Sequence, residues 1–258
     1  MTYEIKETLL QVNNVSKSYD VPILENVSFE IKNITRPNIH QGQIVSLIGK
    51  SGSGKSTLFR ILAGLEEPTS GRVQVKNMDT HEYQDVKEGD MGVVFQNSYI
   101  FPWRRVEDIL DMAASANPKM KENKKELIEH YVEIFSLSEH IKKYSKNLSG
   151  GQKQRVSIAR ALIKNPDMVI LDDCLSAVDV ETEHQILQYL NSALAGKTAI
   201  IITHRVHSLQ DFDQIIVLEE GKIAEMGTHE QLANSGGFYA QQLENSRSAT
   251  EYAVQVEK

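Results

Sequence analysis

Cysteine is almost missing from this 258-residue chain. The single one, Cys174, has no partner for an internal disulfide, so a reducing, cytoplasmic setting fits. Cys174 itself reads as a small packing residue rather than a reactive thiol. Long apolar runs are missing too. Stretches such as Met168–Leu171 and Ile200–Ile202 are far too short to cross a bilayer. Met1–Lys6 lacks a basic start followed by an apolar stretch, so no secretory signal is expected there. Positive charge is in deficit, with 28 Lys and Arg against 35 Asp and Glu and a formal net charge of -7. Non-specific nucleic-acid binding needs a positive surface to displace counterions, so this balance argues against it. No internal repeat and no low-complexity block interrupts the chain. Hydrophobic residues at 40% and charged residues at 24% are ordinary for a soluble globular protein, and the length suits one large domain or a core carrying one substantial lobe.

Periodicity divides the chain into strands and helices. Residues 9–31 alternate apolar and polar positions in places (Leu10, Val12, Val15, then Val27, Phe29, Ile31) and read as antiparallel strands. Asn33–Gln41 contains Pro37 and no clear period, which predicts a loop. Ile44–Ile48 is a short apolar strand leading into a glycine-rich turn, Gly49–Gly54. Leu58, Ile61 and Leu62 recur at helical spacing, with Gly64 as the stop. Glu67–Gly71 reads as a turn, and Arg72–Val75 and Met91–Phe95 as strands. About residues 97–150 the character turns helical, with Leu127, Ile128, Tyr131, Ile134 and Phe135 on one face and a solvated Lys/Glu run at Lys119–Glu126. Met168–Leu171 and Thr198–Ile202, apolar almost throughout, read as parallel strands covered on both faces. Ile215–Leu218 and Lys222–Glu225 form a predicted hairpin, and Glu244–Lys258 a polar, frayed tail.

Three segments carry chemistry. Gly49-Lys50-Ser51-Gly52-Ser53-Gly54-Lys55-Ser56 fits G-x-x-x-x-G-K-[ST], between a strand and a helix. Its glycines let backbone N–H groups converge on phosphate oxygens, and the helix presents its positive end to the same anion. Lys55 would reach the β- and γ-phosphates and the Ser56 hydroxyl would ligate Mg²⁺. A chance glycine-rich turn is the bland reading, which the strand before and the helix after make the poorer one. Met168–Asp172 is a buried strand ending in a carboxylate, the place from which P-loop proteins hold Mg²⁺, and Asp173 follows at once. Leu148-Ser149-Gly150-Gly151-Gln152 opens a helical run with Ser149 as N-cap and two glycines that expose helix N–H groups. Blandly it is a glycine-rich helix start; functionally it is a second anion cradle, which suggests a site shared between two molecules.

With these motifs the sequence resembles the ATP-binding cassette (ABC) ATPase family, from about Leu9 to Glu244; Leu-Ser-Gly-Gly-Gln before the second motif's strand is highly specific to it. The resemblance implies an α/β fold, with a RecA-like P-loop core, an antiparallel β subdomain and an inserted helical subdomain. It implies one ATPase domain over residues 1–243, its helical subdomain at about 97–150, and a polar tail over 244–258. It adds residues to the site. Tyr19 matches the aromatic that stacks on adenine, and Thr57 joins the nucleotide-binding residues. Gln96 matches the glutamine that senses Mg²⁺ and water and links core to helical lobe. Ser176-Ala177-Val178-Asp179 matches a dimer-contact loop, and His204 the switch histidine at the γ-phosphate. The catalytic set implied is Lys55, Gln96, Asp173 and His204; the metal set is Ser56, Gln96 and Asp172.

Residues 57–110 are similar to stand-alone importer ATPases and residues 148–243 to exporter cassettes. The family usually has glutamate directly after the strand-end aspartate, where this chain has Asp173, so a slow ATPase is expected. What the resemblance implies is a Mg-ATP-dependent homodimer or heterodimer, cytoplasmic and peripheral on the inner face of the cell membrane, that powers a transmembrane permease encoded separately. The alternatives are an ATP-dependent clamp that scarcely turns over, a non-transport ABC ATPase, and a cassette detached from a longer exporter.

Overall fold

The computed structural model describes residues 4–35, 43–77, 80–116, 123–173, 196–203 and 212–246, with short pieces between 185 and 194. Two compact units emerge from the packing. One is built from residues 4–35, 43–86 and 200 onward; the other spans residues 87–199.

The first unit opens on a long hairpin, β1 (Glu4–Ser18) and β2 (Pro22–Thr35). With β4 (Ser70–Lys76) and β5 (Tyr83–Asp85) it makes an antiparallel sheet ordered β2-β1-β4-β5. Leu10 pairs with Ile31 on one side and Val75 on the other, and Val12 with Phe29 and Val73; all six side chains are buried. The spacing Leu10, Val12, Val15 breaks the two-residue period by one residue. The register shifts between Val12 and Val15 and Asn14 lies at φ 49°, so the extra residue is absorbed as a bulge that returns Val15 to the buried face. Of the loop predicted over Asn33–Gln41, the first three residues are strand and the rest lie outside the described residues. Asn33–Thr35 continue β2 because β1 reaches back to Glu4 and supplies partners, Ile5 to Ile34 and Glu4 to Thr35.

The same unit holds β3 (Gln43–Ile48), buried at every position and parallel to β9 (Gln214–Glu219), which turns back as β10 (Lys222–Gly227). Asp213 ties β9's start to β3 twice: its carboxylate accepts from Ile44 N–H at 2.8 Å and its own N–H donates to Ile44 O at 2.9 Å. β8 (Thr198–Ile202) is wholly buried, and just past it Thr203 N–H reaches Leu47 O of β3 at 3.3 Å. Helix α1 (Lys55–Leu62) buries Leu58, Phe59, Ile61 and Leu62. It stops where predicted, at Gly64 (φ 68°), with Leu65 N–H closing on Arg60 O at 2.9 Å. Helical turns resume over residues 238–246, three residues into the stretch expected to fray. Tyr239 and Leu243, one turn apart, are buried and anchor it.

In the second unit β6 (Gly92–Val94) runs parallel to β7 (Met168–Asp172). The expected helical stretch supplies α2 (Val106–Ser115), α3 (Lys124–Ile134) and 3-10 turns at Ser138–His140 and Ser145–Asn147. Helix α4 (Gly150–Leu162) then buries Val156, Ile158, Ala159 and Leu162. Of the predicted face on α3 only Tyr131 and Phe135 are buried; Leu127, Ile128 and Ile134 are half-buried.

Gly71 faces the β1 bulge at φ 80°, and a Cβ there would stand 2.3 Å from Asn14 O and 2.5 Å from Asn13 O. Gly89 has φ 98° and open space around it. Both substitutions by alanine incur left-handed strain, but only Gly71→Ala drives a methyl into backbone. Urea denaturation should show Gly71→Ala destabilised by at least about 2 kcal/mol more than Gly89→Ala; equal losses would contradict the close approach.

Candidate nucleotide-binding site

The loop from Gly49 to Gly54 owes its path to glycines that nothing larger can replace. A Cβ on Gly49 would lie 2.1 Å from Leu218 O, and one on Gly54 (φ 99°) 2.7 Å from Leu24 Cδ2 and 3.0 Å from Ile23 O. The loop is also tied from outside, Gly221 N–H donating to Ser53 O at 3.2 Å and Glu25 N–H to Gly221 O at 2.9 Å. At its end α1 begins against the usual rules of helix starts. Gly54 offers no side-chain cap, the first turn has no acidic residue, and its first residue is a lysine. A helix N-terminus carries partial positive charge and exposed N–H groups, and with no acidic side chain of its own in the first turn it is suited to an added anion.

Lys55 is only 6% exposed. Its Nζ donates to Gly49 O at 2.8 Å and to Lys50 O at 2.7 Å, which folds the ammonium back over the loop. Ser53 Oγ is buried and without a hydrogen-bond partner. Ser56 is exposed at the helix start, with Thr57 half-buried beside it. An orphaned hydroxyl, a buried ammonium and an uncapped helix end in one loop fit a phosphate group. Outside the loop, Lys50 Nζ pairs with Glu219 Oε1 at 2.8 Å and sits 5.4 Å from the centre of the Phe238 ring.

Tyr19, in the turn between β1 and β2, leaves 55% of its surface exposed. Its hydroxyl donates to Glu66, and Lys17 Nζ stands over its ring, 5.1 Å from the centroid.

The second unit gathers the other predicted residues in two places. Gln96 is exposed, and its Nε2 donates to Asp173 Oδ2 at 3.3 Å. Asp172 ends β7 half-buried; Asp173 is buried and has φ 39°, in the left-handed region. At the start of α4 Ser149 caps as predicted. Its Oγ accepts from Gln152 N–H at 3.3 Å while Gln152 Oε1 accepts from Ser149 N–H at 2.9 Å, a reciprocal capping box. A Cβ on Gly150 would meet nothing within 4 Å, so the helix end is open there, and Gly151 follows half-buried. His204, Ser176–Asp179 and Cys174 lie outside the described residues.

Residues 31–176 match the ABC transporter family. The chain belongs to it. Curated proteins match over most of this chain. The methionine import ATP-binding protein MetN of Geobacillus kaustophilus is 37% identical over 231 residues, covering 85% of this chain and 65% of the relative. The ATP-dependent lipid A-core flippase of Neisseria meningitidis is 35% identical over 209 residues, covering 78% and 33%. A solved structure of a bacterial Atm1-family ABC exporter with ATP bound superposes with a TM-score of 0.77 at 28% identity, over 94% of this chain and 42% of the other. The chain thus spans between a third and two thirds of the length of these curated relatives. The ABC ATPase fold, α/β with parallel and antiparallel strands, is the one the motifs implied.

Several contacts escaped the sequence motifs. Glu66 holds the Tyr19 hydroxyl, and Gln152 Nε2 meets His140 Nε2 at 3.1 Å. Gln154, 3% exposed, accepts from Ser98 Oγ at 2.6 Å, and Arg160 donates to Tyr99 O. The last two strap the segment after Gln96 to α4. The only signal was their position on a helix already marked by Ser149–Gln152.

Proposed function

We propose that this chain binds Mg-ATP and hydrolyses it to power transport through a membrane subunit on a separate chain. The observation that carries the reading is the Gly49–Gly54 loop, whose close backbone approaches at Gly49 and Gly54 and partnerless Ser53 hydroxyl lead into a helix start with no side-chain cap. In this reading Gly49–Thr57 hold the phosphates and Tyr19 stacks on adenine. Ser56, Asp172 and Gln96 are the residues that would hold Mg²⁺, which would neutralise charge on the phosphate oxygens. Gln96 and Asp173, already in hydrogen-bond contact, position the attacking water, with Asp173 taking its proton and His204 contacting the γ-phosphate. The open N-terminal end of α4, at Ser149–Gln152, meets the γ-phosphate of a nucleotide held by a second cassette, which makes the active form a dimer. A titration with ATP tests the arrangement in two arms. Lys55→Ala should lose tight binding. Ser149→Arg should keep binding and lose turnover, because arginine fills the open helix end. Full turnover in either variant contradicts the site.

Asp173 makes the enzyme slow. Its side chain is one methylene shorter than glutamate, so its oxygens fall on the order of 1 Å short, a misplacement worth about a hundredfold in rate. Its φ of 39° adds a backbone term: aspartate tolerates the left-handed region better than glutamate does. Asp173→Glu should therefore raise turnover with little change in ATP affinity, and lower thermal stability slightly. A variant no faster than the wild type would refute the argument from reach.

The membrane subunit docks, in this reading, on the segment after Gln96. Trp103 is 68% exposed and stands 5.6 Å, ring centre to ring centre, from Phe101, itself well exposed. Tyr99 is exposed as well, and Arg105 sits over the Tyr144 ring at 5.5 Å. Exposed aromatics beside arginine are the residue types that anchor interfaces. Trp103→Ala with Arg104→Ala should weaken recruitment to membranes carrying the subunit and leave ATP binding in place; undiminished co-purification would rule this surface out.

A further inference from the structure

The environment of Tyr19 is more constrained than an exposed aromatic needs. Its hydroxyl donates to Glu66. The same carboxylate pairs with Lys17 Nζ at 2.9 Å, and that ammonium lies over the Tyr19 ring, 5.1 Å from its centroid. Lys17 Nζ also donates to Glu67 O at 2.7 Å. The ring is thus gripped at its edge by Glu66 and approached over one face by Lys17, while 55% of the residue stays exposed.

The backbone beneath is fixed separately. Thr69 N–H donates to Ser16 O at 2.8 Å and Ser18 N–H to Thr69 Oγ1 at 3.1 Å, which staples the end of β1 to the turn that bears Glu66. With the strand end already stapled through Thr69, the Glu66 carboxylate adds its ion pair to Lys17 and its hold on the Tyr19 hydroxyl. The electrostatics agree. The Tyr19 phenol is raised above its ordinary range chiefly by the bond to Glu66, and the Glu66 carboxyl is lowered by the same bond and by Lys17. Four residues after Tyr19 comes Ile23, whose carbonyl lies against Gly54 of the phosphate loop. The chain between them can span at most about 14 Å.

We propose that Glu66, together with Lys17, is a positioning residue that fixes the plane of Tyr19 to receive the flat ring of a nucleobase. This rests on the reading of the site as an ATP site with Tyr19 at the base. A ring free to rotate about two side-chain torsions must be ordered when the base binds; a ring already bracketed needs no such ordering. The bracket acts on the base alone, since neither Glu66 nor Lys17 belongs to the phosphate loop.

The test compares ATP with inorganic tripolyphosphate, which has no base, by calorimetry on the wild type and on Tyr19→Ala, Tyr19→Phe, Glu66→Ala, Glu66→Gln and the double variant Tyr19→Phe with Glu66→Ala. Tyr19→Ala should weaken ATP by about tenfold. Glu66→Ala and Tyr19→Phe should each weaken it by about threefold, with the double variant no worse than either. Tripolyphosphate affinity should stay unchanged throughout. Glu66→Gln, whose amide oxygen still accepts from the phenol, should recover most of the loss. Wild-type ATP affinity in Tyr19→Ala would overturn the stacking reading itself. Loss in Tyr19→Ala with none in Glu66→Ala, additive losses in the double variant, or an equal loss of tripolyphosphate would overturn the bracket alone.

Discussion

The buried ammonium of Lys55 is the constraint on which the first unit's arrangement turns. A charge at 6% exposure is costly to bury without hydrogen bonds, and two main-chain carbonyls, Gly49 O and Lys50 O, supply them. Those carbonyls face inward only because the loop doubles back. It can double back only because Gly49 and Gly54 have no Cβ to strike Leu218 O and Ile23 O. β9 and β2 thus press on the loop from two sides, and Gly221 pins it at Ser53 O. The elements that look most remote from phosphate chemistry, the long hairpin and the β9–β10 turn, are the walls that give the loop its shape.

Chemistry and scaffold were unequally legible in the sequence. The buried strands could be read because solvent is excluded from both their faces, and β8 falls on Thr198–Ile202 as expected. The cap at Ser149 could be read because capping is local chemistry between residues three apart. The extension of β2 through Thr35 could not, since its pairing lies with Ile5 and Glu4 some thirty residues away, and the local composition suggested a loop. The irregular spacing of Leu10, Val12 and Val15 already held the bulge, but a missed period reads as noise until a partner strand gives it a register. Lys50 with Glu219 and Tyr19 with Glu66 are 169 and 47 residues apart, and no pattern along the chain joins them.

The similarity to an import ATP-binding protein at 37% and to a lipid flippase at 35% has a physical sense. Phosphate recognition asks for glycines at points of close backbone approach, a helix end and a cation, and none of these depends on the cargo. Sequence is therefore shared wherever the phosphate chemistry is shared. Cargo does not enter that chemistry, and the exposed Tyr99, Phe101 and Trp103 lie in a segment apart from the glycine-rich loop in sequence.

That segment is joined to Asp173 by contacts within a single unit. Tyr99 O is bound by Arg160 of α4, and Ser98 by Gln154 of the same helix. Two residues earlier in the chain, Gln96 reaches Asp173. Gly92 lets β6 approach α4 so closely that a Cβ there would lie 2.9 Å from Ala161 O. Between these points the backbone has little freedom: the strand before Gln96 is pressed against α4 and the residues after it are bonded to α4. The backbone that carries Gln96 is therefore held to α4 on both sides, and its exposed side chain makes the contact to Asp173. The helix that opens at Ser149 and Gly150 is thereby the one against which the backbone of Gln96 stands.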